Sequence, residues 1–180
     1  MMKNLFQILC GLFLVVSYSS CMHSEEDKVD VLIIGGGASG VTSGIQSARM
    51  GANTLILEES TWLGGMLTSA GVSAVDGNYR LPAGLWGEFK NRLSDYYGGL
   101  DSLKTGWVSN VLFEPSVGNK ILHEMVAAEN NLKVWKQACL EEVKRTGDEW
   151  VAKVKVEGQG VKTVRAKVMI DACLLYTSPS

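Results

Sequence analysis

Apolar positions along this chain change their period several times, and each change marks a different kind of element. Residues 5–16 form an almost uninterrupted apolar run. A second, shorter run at 29–34 is broken only by Asp30 and stops at Gly35-Gly36-Gly37. Its brevity, β-branched content and glycine stop predict a buried strand of a parallel sheet. Across 39–50, Val41, Ile45 and Ala48 recur at helical spacing, and Gly51 supplies the C-terminal stop. Residues 54–57 read as a second buried strand ending at Glu58. Strand, glycine turn, helix and strand in this order make a βαβ unit.

Beyond it lies a glycine-rich excursion at 62–77. Residues 82–97 then carry Leu85, Trp86, Phe89 and Leu93 on one helical face, and 115–129 carry Ile121, Leu122, Met125 and Val126. After Leu132 the pattern becomes that of strands, expected at 132–135, 138–145, 149–157 and 161–165. Turns at Thr146-Gly147-Asp148 and Gly158-Gln159-Gly160 join them into an antiparallel meander. Residues 167–171 would be a further, separate strand.

Charge and leader narrow the setting. A net charge of −2 and the absence of a basic cluster argue against a nucleic-acid partner. Lys3, the apolar run and the small residues before Cys21 have the layout of a secretory signal peptide at 1–21, too short for a spanning helix. The stretch resembles a bacterial lipoprotein cleavage box, which implies lipidation of Cys21 and a membrane link only through that anchor. Residues 22–28 form a short acidic tether similar to the export signals of some Bacteroidetes-type surface lipoproteins. The expected location is the cell envelope, periplasmic or on the surface. Of the four cysteines, Cys139 is the one thiol left in the folded region, and it is expected on a buried strand as a small hydrophobe. No disulfide framework follows.

The chemistry centres on Gly35-Gly36-Gly37-Ala38-Ser39-Gly40, a G-x-G-x-x-G pattern with a strand before it and a helix after it. Gly35 permits the tight turn, Gly37 lets a pyrophosphate approach the backbone, and Gly40 allows close helix–strand packing. The helix N-terminus, with Ala38 and Ser39, presents N–H groups and a positive dipole end to phosphate. Glu58 is placed to accept hydrogen bonds from ribose hydroxyls and to repel a 2′-phosphate. The fold class expected is α/β, a Rossmann-type βαβ dinucleotide-binding domain with a parallel sheet plus an antiparallel β-meander.

The segment from Glu58-Glu59 through Gly64-Gly65-Met66-Leu67-Thr68 closely resembles that of FAD-dependent oxidoreductases with a glutathione-reductase-like FAD domain. The resemblance implies FAD as cofactor, with Gly64, Gly65 and Met66 beside the pyrophosphate and the chain running on toward the flavin. Ala166 to Ala172 resembles the strand that leads into that family's Thr-Gly-Asp contact with the ribityl chain. Gly106-Trp107-Val108 and Phe113-Glu114-Pro115 resemble a bacterial, often secreted, branch. By position, the backbone of Leu140 would meet adenine. Neither His23 nor His123 has a setting for covalent flavin attachment, and Trp62, Trp86 and Trp107 are better read as packing groups than as flavin stackers. The family pattern expects Ala-Thr-Gly-Asp where this chain has Ala172-Cys173-Leu174. The last eight residues resemble the translation of a sequencing adapter, so the FAD-binding domain at 29–172 is expected to be truncated and residues 173–180 non-native.

The expected activity is oxidation or reduction of a small organic molecule by hydride transfer to or from flavin, with catalytic residues and oligomeric state unassigned. Two alternatives stand beside it. An NAD-binding dehydrogenase domain is opposed by Gly64-Gly65 and the meander. A surface lipoprotein binding nucleotide without turnover would differ in leaving reduced flavin unoxidised by any acceptor.

Overall fold

A computed structural model describes residues 26–75, 77–104 and 109–173. The leader, Cys21, His23, Trp107 and the tail from 174 lie outside the described residues. The elements follow the order β1 (Glu26–Ile34), α1 (Ala38–Arg49), β2 (Thr54–Glu58), α2 (Gly84–Tyr97), α3 (Pro115–Ala127), β3 (Leu132–Lys136), β4 (Ala138–Thr146), β5 (Glu149–Val156) and β6 (Gly160–Asp171). Short 3-10 turns sit at Gly65–Leu67 and Leu100–Leu103. Among the described residues no helix is long and apolar enough to cross a membrane.

One six-stranded sheet holds all the strands, in the order β3-β2-β1-β6-β5-β4. Pairings among β3, β2, β1 and β6 are parallel, and those of β6 with β5 and β5 with β4 are antiparallel. The alternation of side chains on β1 and β2 explains how the layers form. Ile33 and Ile56 point to one face, where they meet Val41 and Ile45 of α1, Phe89 and Leu93 of α2, and Ile121 and Met125 of α3. Leu32, Ile34, Leu55 and Leu57 point to the other face, against Ala138, Leu140, Ala152, Val154, Val164 and Ala166 of the meander. The central strands are apolar on both sides because both sides are covered. The result is a helix layer, a parallel layer and a folded-over meander.

Three features differ from the sequence expectation. β1 begins at Glu26 rather than at Val29, because Glu26, Asp27 and Lys28 pair with Thr163, Val164 and Arg165, and Arg165 forms an ion pair with Glu26. The acidic residues assigned to the tether therefore include the first turn of pleat. Next, 161–165 and 167–171 are a single strand. No glycine or proline interrupts them, and Ala166 pairs with both Val29 and Trp150, so β6 joins the meander to the parallel sheet. Finally, Cys139 is exposed, not buried. Ala138 and Leu140 take the inward positions of β4, so period-two alternation turns Cys139 outward, 3.5 Å from Glu59 Oε1. Its thiol is held above the ordinary range by partial burial, then by the Glu59 charge.

Packing of α1 on the sheet is close enough to exclude side chains. A Cβ on Gly44 would stand 2.6 Å from Ile56 Cδ1 and 3.3 Å from Leu132 Cδ1, both in the core. Gly44→Val should lower stability by about 1–3 kcal/mol through overpacking. Urea denaturation should show a lower midpoint with an unchanged slope, and an unchanged midpoint would mean that α1 can slide.

Candidate functional site

The C-terminal ends of β1, β2 and β6 converge on the glycine turn. Gly35 adopts φ +97°, which only glycine enters without strain, and its N–H donates to the Leu57 carbonyl at 2.9 Å. The end of β6 closes the other side. The Ala172 N–H donates to Ile34 O at 2.8 Å, and a Cβ on Gly35 would meet Ala172 O at 3.1 Å. Gly40, in the first turn of α1, has no room for a side chain, since a Cβ there would overlap the Gly35 carbonyl. Two of the motif glycines are thus explained by the chain itself.

Gly37 is not. Its φ of −65° suits any residue, and a Cβ built on it meets no atom within 4 Å. It stands at the N-cap of α1, where no side chain caps the helix and no acidic residue lies in the first turn. Ala38 and Ser39 follow, and the one carboxylate described near this positive end of the helix dipole is that of Glu58, which accepts the Gly36 N–H. Helix N-termini favour anions in general, and a Cβ on Gly37 would point into open space.

The second wall of the cradle is the Gly64-Gly65 segment. The Gly64 N–H donates to Gly36 O at 2.8 Å, and Gly64 and Gly37 form a parallel bridge. Gly65 lies so near that a Cβ on it would stand 3.1 Å from the Gly37 Cα. Met66 follows in the 3-10 turn with its side chain 48% exposed, an apolar group held at the surface beside the turn. Glu58 ends β2 and ties the parts together. One carboxylate oxygen accepts the Gly36 N–H and the other accepts the Ser60 N–H, each at 2.7 Å.

The structure thus brings Gly35, Gly37, Ala38, Ser39, Gly40, Glu58, Gly64, Gly65 and Met66 into one region. Leu140 lies to the side. Its side chain is buried in the meander core, while the start of β4 reaches the loop after β2, where the Gln137 N–H donates to Ser60 O. His123 is half-buried on α3, with its pKa lowered by burial and by Lys136, and Trp86 packs against the helix-layer core. Trp62 is partly buried in the loop that precedes Gly64.

Sequence reasoning missed Asn119, and it gave no role to Thr68, the last residue of the Gly-Gly segment. The Asn119 Oδ1 accepts the Leu63 N–H at 2.9 Å, and the Thr68 hydroxyl donates to Leu63 O at 2.6 Å. The available signal was a carboxamide bordering the apolar stripe of α3, which hydropathy alone does not separate from a solvent-facing residue.

This fold has flavoprotein counterparts. A flavoprotein/dehydrogenase from Cytophaga hutchinsonii superposes with a TM-score of 0.60 at 17% identity, covering 81% of this chain and 39% of that one. The bacillithiol disulfide reductase of Bacillus cereus gives 0.54 at 17%, over 81% of this chain and 39% of its own. A p-nitrophenol 4-monooxygenase from Pseudomonas putida gives 0.51 at 16%, over 81% and 41%. The chain spans about two-fifths of the length of each of these structures. Curated proteins provide no significant match. The profile of the FAD dependent oxidoreductase family matches residues 30–174, so the chain belongs to that family, and FAD is its cofactor.

Proposed function

We propose that this chain is the FAD-binding part of an exported, lipid-anchored oxidoreductase that acts on a small organic substrate by hydride transfer. The observation that carries the binding mode is Gly37, a glycine with ordinary backbone angles and open space where its side chain would be. Among the described residues nothing requires glycine there, whereas a pyrophosphate against the α1 N-terminus does. Gly35 and Gly40 hold that turn, and the amides of Ala38 and Ser39 face the phosphates. Gly64 and Gly65 let the second wall approach, and Met66 offers an apolar contact. Glu58 orients the adenosine ribose. Its two oxygens each keep a lone pair beyond the bonds to Gly36 and Ser60, so holding the turn and receiving hydroxyls are compatible. The backbone near Leu140 lies on the adenine side, because the start of β4 adjoins the loop that follows Glu58.

Bound flavin supplies the capacity to accept or give up a hydride, and the protein supplies binding, orientation and electrostatics. The reading places the domain within the glutathione-reductase-like type, because a meander covers the face of the parallel sheet opposite the helices. The same reading gives a small molecule as partner, no nucleic acid, and membrane attachment through Cys21 alone, after a leader at 1–21. Because β1 begins at Glu26, the FAD-binding domain starts there rather than at residue 29.

The experiment that tests the binding mode is Gly37→Val in a full-length parent protein. The fold should persist, since a Cβ there has open space around it, while flavin retention should be abolished. Yellow protein with full FAD content would overturn the assignment. Glu58→Ala should weaken FAD binding by about 1.5–3 kcal/mol, the range for a hydrogen bond to a charged group. Titration of the apoprotein with FAD, followed by flavin fluorescence, measures it, and a change within error would move the ribose contact elsewhere. Cys21→Ala should release the protein from membranes in a fractionation experiment. Unaltered fractionation would remove Cys21 as the anchor.

A further inference from the structure

We infer that Asn119 is a positioning residue for the cofactor site, and that α3 is a structural part of the cradle rather than a separate insertion. This rests on the proposed seat of FAD at the glycine turn and deepens it.

The argument begins with Leu63. Its side chain is fully buried, and both polar groups of its backbone are met by side chains. Asn119 takes the N–H, and Thr68, itself 1% exposed, takes the carbonyl. The next residue, Gly64, hydrogen-bonds Gly36 and bridges Gly37. A hydrogen bond from α3 therefore acts one residue away from the contact that forms the second wall.

Neighbouring residues of α3 press on the same segment. A Cβ on Gly64 would stand 2.6 Å from Leu122 Cδ1, so Leu122 sets how far the segment can retreat from the turn. A Cβ on Gly118 would stand 2.5 Å from the Phe113 ring and 3.3 Å from Thr68 Cγ2. Leu122 lies one helical turn from both Gly118 (i+4) and Asn119 (i+3), so it borders each of them on α3. Two of them fix distance by packing, and Asn119 fixes register, because a carboxamide oxygen accepts only from an N–H suitably placed. Without it Leu63 could shift along α3, and Gly64 and Gly65 would shift with it. Asn119 does not reach the cofactor and acts through Leu63.

Two variants of the full chain separate this from a general contribution to stability. Asn119→Leu keeps the size and removes the acceptor, whereas Asn119→Asp keeps an acceptor oxygen. Hydrogen exchange of the apoprotein should be faster by about tenfold at the amides of 63–68 in Asn119→Leu, and little changed in α1 and β1. FAD affinity should fall by about tenfold, with recovery in Asn119→Asp. If Asn119→Leu fails to fold, Thr68→Val removes the hydroxyl on the other side of the same residue and should give the same pattern. Exchange unchanged at 63–68, or raised evenly through the domain, would overturn the inference. So would local loosening with FAD affinity intact. A full-length parent protein that takes up no FAD would sink the proposed function instead, and the exchange arm would still decide whether Asn119 positions the segment.

Discussion

The site depends on one close approach, that of α1 to the turn that precedes it. A side chain at position 40 would overlap the Gly35 carbonyl, so the helix begins almost in contact with the end of β1. This proximity places the helix N-terminus at the carboxyl edge of the parallel strands. It also directs the chain after Ile34 through a positive φ at Gly35, which no larger residue takes without strain. Everything else in the cradle is arranged around that fixed point. Glu58 reaches the turn because β2 lies beside β1, and the Gly64-Gly65 segment can lie along it because no motif side chain stands between them.

The layering follows from the same strands. β1 and β2 are apolar on both faces, and a strand of that kind needs a cover on each side. The helices supply one cover and the meander the other. β6 makes the two compatible, since its early residues pair with β5 and its later ones continue beside β1. A meander ending in a turn at Arg165 would have left the C-terminal half of β1 with an open edge. The long, uninterrupted β6 instead delivers Ala172 to the glycine turn.

Most of this architecture was legible in the sequence. The βαβ unit, both later helices and the meander turns were readable because each rests on local signals, namely period, glycine and cap. The glycine motif was readable for the same reason. What escaped was set by tertiary contact. The merging of 161–165 with 167–171 depends on a shared partner strand, and the outward turn of Cys139 depends on a register that hydropathy could not fix in a segment where Ala138, Cys139 and Leu140 are all apolar. Glu26 to Lys28 read as a tether because charged residues in a strand give no period, and only pairing with β6 shows otherwise. Asn119 escaped because its partner is a backbone N–H on a distant loop.

That last omission bears on how a cofactor site is held. The residues that a motif reveals are those whose identity is limited by sterics, either within the turn, as at Gly35 and Gly40, or by open space left beside it, as at Gly37. The residues that hold the motif in place are limited only by the need to satisfy a buried N–H or fill a gap, and many sequences can do either. Glu58 shows that the two classes overlap, since its carboxylate closes the turn through Gly36 and Ser60 and still has capacity for a ligand hydroxyl. Asn119 belongs to the second class alone. A pattern search recovers the first class, and the second is found only by asking where each buried backbone group of the site obtains its hydrogen bond.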